Sequence, residues 1–417
     1  MGADQHFDGL PTELPPARPY AVTLPDQHPV LVTETITTNE GFRNLQAEWN
    51  DLVKGCSSRS FFLTWEWLYT WWQHQADDRT LCIMTVRHDG RLIAIAPLVS
   101  RPSRFMRLLP FSVLEFLGSG SVGSDYLNFP VRDGYEDAAL RALAGCITER
   151  DSVLELAQVE RLSSRMINFA IQLRLLGWHT HRTTVNFCPF ISLRGKSWAD
   201  YLGTLGSNHR TNLRRRLKKL SATFNVRIEK VGTEQQRAKA LDTLVSLHLK
   251  RWSQRGGSDA LHTDALLAFH EELTKTALAN DWLRLHVMWL DDVPVAAVYG
   301  FFHNNVYYFY QAGFDVNFSD YSVGLVMMGM TIKSAIEEGA EEFDFLHGEE
   351  TYKYLWTREE RELVRFDMFP PHTRGSLYSQ FMQLRHSIKR LVWQWFPSRN
   401  TDLNPGPNKS PKKSPKK

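Results

Sequence analysis

The stretch from Trp282 to Phe314, WLRLHVMWLDDVPVAAVYGFFHNNVYYFYQAGF, leaves the chain little freedom. Three apolar runs are separated by two-residue polar breaks at Asp291-Asp292 and Asn304-Asn305. A two-residue break closes only a hairpin, and Asn and Asp tolerate the left-handed backbone such a turn requires. The stretch therefore predicts a three-strand antiparallel meander. A helix over VGLVMMGMTIKSAIEEG follows, with Gly339 as its stop, and EEFDFLHG reads as one more strand.

The first half repeats this plan without repeating the sequence. FFLTWEWLYTWWQH places Phe61, Trp65, Leu68 and Trp72 on one helical stripe. LCIMTVRHDGRLIAIAPLVS reads as a hairpin turning at Asp89-Gly90, and LEFLGSGSVGSDYLNFP as a strand running into a Gly/Ser loop. In the second half, helices near 234–250 and 263–279 precede the meander. The expected class is α+β, two tandem lobes of mainly antiparallel sheets flanked by helices. The expected boundaries are a disordered arm over 1–32, lobes over 33–184 and 185–372, an amphipathic helix over 373–398 and a disordered basic tail over 399–417.

The formal charge of +3 is misleading, because five lysines lie from Lys409 onward and without them the balance is −2. A nearly neutral body does not point to nucleic acid. The two Ser-Pro-Lys-Lys units of the tail resemble minor-groove binders but read first as low-complexity sequence. Cys56, Cys82, Cys146 and Cys188 are scattered, with no metal-ligand spacing, so no metal is expected and a reduced, cytoplasmic setting is.

Several segments carry candidate chemistry. Tyr321-Ser322-Val323-Gly324 opens the helix after the meander. Ser322 is a candidate cap, Gly324 permits close approach of a ligand, and the free amides at the helix start suit a diphosphate. In AEEFDFLHGEETYKYLW, Phe343 and Phe345 face one side of a strand and Asp344 and Leu346 the other. Asp344 is followed by Glu350, Tyr352 and Lys353, polar groups gathered where a strand ends. His347, equally near, reads as a polar residue at the strand edge. SNHRTNLRRRLKKL is a basic helix whose Arg210 and Arg214 are candidate contacts for a phosphate or sugar acid; a solvated face is the alternative. Leu377, Phe381, Leu384 and Ile388 begin the apolar stripe of the helix over 376–396. Packing on the second lobe or peripheral membrane contact would each use it.

Taken together, Gln311-Ala312-Gly313-Phe314-Asp315, Tyr321-Ser322-Val323-Gly324 and Phe343-Asp344-Phe345-Leu346-x-Gly-Glu-x-x-Tyr352-Lys353 resemble GNAT acetyltransferases of the CelD-like (cellulose biosynthesis) group. That group is related to the FemAB peptidyltransferases. The likeness extends more weakly to residues 207–215, 248–252, Ala96-Pro97-Leu98 and Asp125-Tyr126-Leu127-Asn128. It implies two GNAT-like lobes and an acyl-CoA co-substrate held by Tyr310, Gln311, Ser322, Val323 and Gly324. The acceptor is then an amine, on a small molecule or glycan, met by Arg210, Arg214, Asp125 and Tyr126. Asp344 and Glu350 are candidate bases, Tyr352 or Tyr310 a candidate acid, and Lys353 a charge stabiliser. The phosphate loop supplies one glycine where GNAT loops are richer. This leaves open an aminoacyl-tRNA donor, as in FemAB enzymes, and a non-catalytic role in exopolysaccharide synthesis.

Overall fold

The computed structural model describes residues 31–57, 60–102, 112–150, 152–253, 261–348 and 350–371, with backbone alone for 251–253. The expected arm, but for its last two residues, the helix over 376–396 and the basic tail lie outside the described residues. The chain divides into two compact units, Met1–Pro370 and Pro371–Lys417, and the architecture below is that of the first.

The chain opens with β1 (Leu31–Ile36), α1 (Asn39–Asn44), α2 (Gln46–Lys54) and α3 (Trp65–Gln75). Next come β2 (Thr80–Leu81), β3 (Ile83–His88), β4 (Arg91–Ala96), β5 (Leu98–Pro102) and β6 (Ser112–Phe116). The first half closes with α4 (Glu136–Thr148), β7 (Ser152–Glu160) and α5 (Ser164–Leu175). The second half is β8 (His179–Ser192), α6 (Trp198–Thr204), α7 (Ser207–Thr223), β9 (Val226–Lys230), α8 (Glu234–Ser253) and α9 (Asp264–Ala279). It ends with β10 (Leu283–Leu290), β11 (Val293–His303), β12 (Val306–Phe314), α10 (Val323–Glu337), β13 (Glu342–Asp344) and β14 (Glu359–Phe369).

The hairpins fall where the turn residues put them. Asp89 and Gly90 have φ of 48° and 79°, and Asn304 and Asn305 have 50° and 61°, the paired left-handed geometry of a tight hairpin. Gly339, at φ 86°, ends α10 as expected.

Strand pairing is antiparallel except in two places, β6 with β7 and β12 with β13. Each parallel pair is joined by a helix, α4 in the first half and α10 in the second, so the two halves repeat one motif. Strands β1, β3 and β4 form a small sheet. The other eleven form one continuous sheet in the order β2-β5-β6-β7-β14-β8-β13-β12-β11-β10-β9. The last strand, β14, lies between β7 of the first half and β8, bonding to both. The position 184/185 falls inside β8.

Two cores fill the layers. One lies under α6, α7 and α10, where Leu213 packs so closely that a Cβ on Gly329 would stand 3.0 Å from its Cδ1. The other runs from the first half through α8 and α9. Its seam between halves is aromatic. Phe61 stacks on Phe301 with ring centroids 4.1 Å apart, and Trp67 meets Phe269 and Tyr310 edge-on at 5.2 and 5.8 Å. Such pairs add about 0.5–1.5 kcal/mol beyond area burial.

Candidate acyl-transfer site

The parallel pair β12/β13 is in register from Val306–Glu342 to Tyr308–Asp344, then separates. β12 continues to Phe314, with a bulge that leaves Tyr310 as the extra residue opposite Tyr299 and Gly300. The other chain turns away. Asp344 Oδ1 accepts from the Leu346 backbone N–H at 2.7 Å, and Leu346 takes φ of 56°. The Phe345 and Gly348 N–H groups follow β8, donating to Pro189 and Phe187 carbonyls at 2.9 and 3.2 Å. Beyond Tyr308, β12 no longer pairs with β13.

A loop of the first half, between β6 and α4, enters the space that opens. Ser124 closes it, donating to the Gly118 carbonyl at 2.7 Å and accepting from Trp67 Nε1 at 2.9 Å. Tyr310 donates its hydroxyl to the Val122 carbonyl. Tyr126 donates to Asp344 Oδ2 at 2.5 Å. Asp125 accepts at Oδ2 from the His347 backbone N–H at 2.9 Å, and its oxygens lie 2.9 and 3.0 Å from His347 Nδ1. Gln158 Nε2 on β7 reaches the same carboxylate at 3.3 Å.

Burial sets the electrostatics. Asp344 is 1 % exposed. Desolvation and then the nearby Glu342 charge push its carboxyl up to about 7, against the Tyr126 hydrogen bond and Arg361. Arg361 on β14 bonds Glu342 at 2.6 and 2.5 Å, reaches Asp344 at 3.5 Å, and lies over the Phe190 ring. Burial likewise holds the Tyr126 and Cys188 protons on well above their ordinary range. The Asp125 charge beside His347 raises the imidazole above its usual value, against desolvation.

Lys353 is 3 % exposed. Its Nζ donates to the carbonyls of Leu346, His347 and Gly348 at 3.3, 2.8 and 3.3 Å and pairs with Glu350 at 2.8 Å. It pins the turn that carries His347. Glu350 is on the outside, and half-buried Tyr352 packs against the core under α10.

At the start of α10, Ser322 takes φ 55° and ψ 44°, and its side chain caps nothing. The expected hydroxyl cap is thus absent, since a cap through the side chain needs extended backbone at that position. A left-handed residue followed by right-handed ones instead turns successive N–H groups into one concavity, a nest for an anion. Val326 is the first to bond within the helix, to the Ser322 carbonyl at 3.1 Å. Gly324 is half-buried against the Phe314 ring, and Val323 lies in the core. Helix α7 brings cations here: Arg216 donates to the Asp320 carbonyl at 2.7 Å and Lys219 sits 4.7 Å from the centre of the Tyr321 ring.

The structure thus gathers Asp125, Tyr126, Tyr310 and Asp344 where β12 and β13 part, with Lys353 behind them. Gln311 turns its side-chain oxygen to the Ala312 N–H at 3.0 Å. Arg210 is engaged elsewhere, at the Leu202 and Gly203 carbonyls that end α6, at 3.3 and 3.5 Å, and Arg214 is exposed. No hydrogen bond among the described residues joins those arginines to Asp125 or Tyr126. Arg361 and Arg216 are not singled out by the sequence, which also marks His347 only as a polar residue at the strand edge. Only the basic run held a signal for one of them, Arg216. Among the described residues no cluster of His, Cys, Asp or Glu could hold a metal ion.

Residues 207–354 match the family model of the GNAT acetyltransferase domain. The crystal structure of FemX superposes with a TM-score of 0.60 at 14% identity, over 84% of this chain and 99% of that one. The C-terminal domain of a putative lysylphosphatidylglycerol synthetase from Agrobacterium fabrum gives 0.48 at 11% identity, over 82% and 95%. A conserved protein of unknown function from Bacteroides thetaiotaomicron VPI-5482 gives 0.47 at 13%, over 78% and 97%. No curated protein matches the sequence. The second half therefore carries a GNAT domain, and the described body has the fold of FemX.

Proposed function

We propose that the protein is an N-acyltransferase that moves an acyl group from acyl-CoA to an amine, in the cytoplasm, on a precursor of polysaccharide or cell envelope. The observation that carries this reading is the parted strand pair, with the bulge at Tyr310 beside an uncapped, cation-flanked helix start. The match of residues 207–354 to the acetyltransferase domain supports the same reading.

The residues fit such a donor. The N–H groups of Val323, Gly324 and Leu325 that precede the first bond within α10, with Arg216 and Lys219 beside them, suit a diphosphate. The bulge at Tyr310, where β12 leaves β13, is where main-chain N–H groups would meet an oxygen on which charge develops. The donor, when bound, supplies the activated thioester. Tyr310 and Tyr126, both partly buried, flank the place where the strands part, and Asp344 anchors it. The turn carrying His347 is held in place by Lys353. The nearby polar groups, Asp344, Glu350, Tyr352 and Lys353, are the proposed set for stabilising charge and assisting proton transfer there.

One second reading has an observation in its favour. The fold shared with FemX and the exposed basic face of α7 suit an aminoacyl-tRNA donor. No helix among the described residues is long and apolar enough to cross a membrane. Thermal unfolding with each donor tests the choice. At about a hundredfold excess over its dissociation constant, acetyl-CoA adds about 2.7 kcal/mol of stability to a protein that binds it. Stabilisation by tRNA that fades with salt, and none by acetyl-CoA, favours the second reading.

A further inference from the structure

Where β12 and β13 part lies a His–carboxylate pair built from two distant parts of the chain. Asp125, fully buried, faces His347 with both oxygens, at 2.9 and 3.0 Å from Nδ1. A carboxylate there accepts, so Nδ1 carries the proton and the neutral ring keeps its lone pair on Nε2. The His347 side chain is 36 % exposed. The Asp125 edge of the ring is therefore interior and reachable surface remains on the side chain. The ring rests on Gly123, where a Cβ would stand 3.2 Å from its Cε1. Gly123 adjoins Val122, the acceptor of the Tyr310 hydroxyl. The imidazole is thereby tied to the bulge of β12.

The charges around the ring come from three elements. The first-half loop supplies Asp125, β8 supplies Cys188 with Sγ 3.8 Å from Asp125 Oδ2, and the turn after β13 supplies Lys353 and Glu350. Asp344 and Tyr126 lie one step further. The thiol is kept neutral by burial, and the Asp125 charge is the largest influence on the imidazole.

We propose that His347 is the catalytic base of the acyl transfer, with Asp125 as its positioning residue. This rests on the acyl-transfer reading and deepens it. The amine nitrogen forms a bond to the acyl carbon, the carbon–sulfur bond breaks, and its electron pair leaves on sulfur. The proton lost by nitrogen goes to His347 Nε2, which returns it to the thiolate. Atoms and charge balance with no further reactant.

Three measurements on the full chain test it. Diethyl pyrocarbonate, which labels unprotonated imidazole nitrogen, is expected to modify His347, and acetyl-CoA to slow that labelling at least fivefold, read by peptide mass spectrometry. Thiol release from acetyl-CoA, with glucosamine or with water as acceptor, is expected to fall about 10²- to 10⁴-fold in His347→Gln. KM for acetyl-CoA stays within about twofold, and the limb of the pH profile that reports the base disappears. Asp125→Asn is expected to lower the His347 pKa in an NMR titration and to move the same limb of the pH–rate profile with it, a joint shift that a merely structural pair would not give. If acetyl-CoA fails to bind at all, the acyl-transfer reading falls and this proposal with it. If it binds and turns over while His347→Gln keeps the rate and the pH limb, or labelling of His347 is indifferent to acetyl-CoA, the assignment of His347 alone is overturned.

Discussion

Tyr126 donates its hydroxyl to Asp344 at 2.5 Å across 218 positions of sequence, the carboxyl buried and the tyrosine partly so. This bond ties the first-half loop to the end of β13, where the strands part. A carboxyl held up to about 7 is proton-bound in the fold at pH values where the unfolded chain has already released its proton. Its contribution to stability is full below about pH 4 and is lost as pH rises through about 7. We expect denaturant midpoints to show a decline over that window of up to a few kcal/mol, and Asp344→Asn to flatten it.

Lys353 and Glu350 separate by burial. Lys353→Met leaves three carbonyls of the turn without their donor, so we expect a loss of about 2–4 kcal/mol. Glu350→Gln touches a mostly solvated partner and should cost under about 1 kcal/mol. Urea unfolding of the two variants compares them, and equal losses would contradict the clamp.

The donor nest predicts a graded series at Gly324. An alanine Cβ would stand 3.2 Å from the Phe314 ring, a contact the ring can relieve by a small shift. A leucine there projects over the helix start. Calorimetric titration with CoA should show a modest change for Gly324→Ala and at least a tenfold loss for Gly324→Leu, with both variants folded. Arg216→Gln should weaken CoA a few-fold, and more at low salt.

The stacked pair Phe61–Phe301 and the shared sheet predict that the halves melt together. Phe61→Ala should cost about 3–5 kcal/mol and lower a single transition instead of splitting it. Residues 1–184 expressed alone should lack a cooperative transition in circular dichroism, because β7 loses its neighbour β14.

What could be read from the sequence was what neighbours in sequence decide. Asn304-Asn305 and Asp89-Gly90 fixed hairpins through two backbone angles each, and the run around Phe343 and Asp344 located β13, although the strand stops at Asp344 and Leu346, at φ 56°, lies in the turn beyond it. The 3.6-residue stripes located α3, α8 and α9. The place of β14 could not be read, since EERELVRFDMF pairs with residues more than 160 positions earlier and nothing local names them. His347 was passed over for the same reason. Its partner Asp125 lies 222 positions away, and a lone histidine at a strand end is ordinary. Ser322 was misjudged because a capping residue and a left-handed one look alike in sequence.

The position of β14 also has a consequence for synthesis. A growing polypeptide would release the first half from the ribosome long before Phe369 is made, leaving the β7 edge bare. Closure of the central sheet then has to wait for the last strand to thread between two already formed neighbours. Such an order of events makes for slow maturation, and during that interval the bare edge is open to mispairing with other chains.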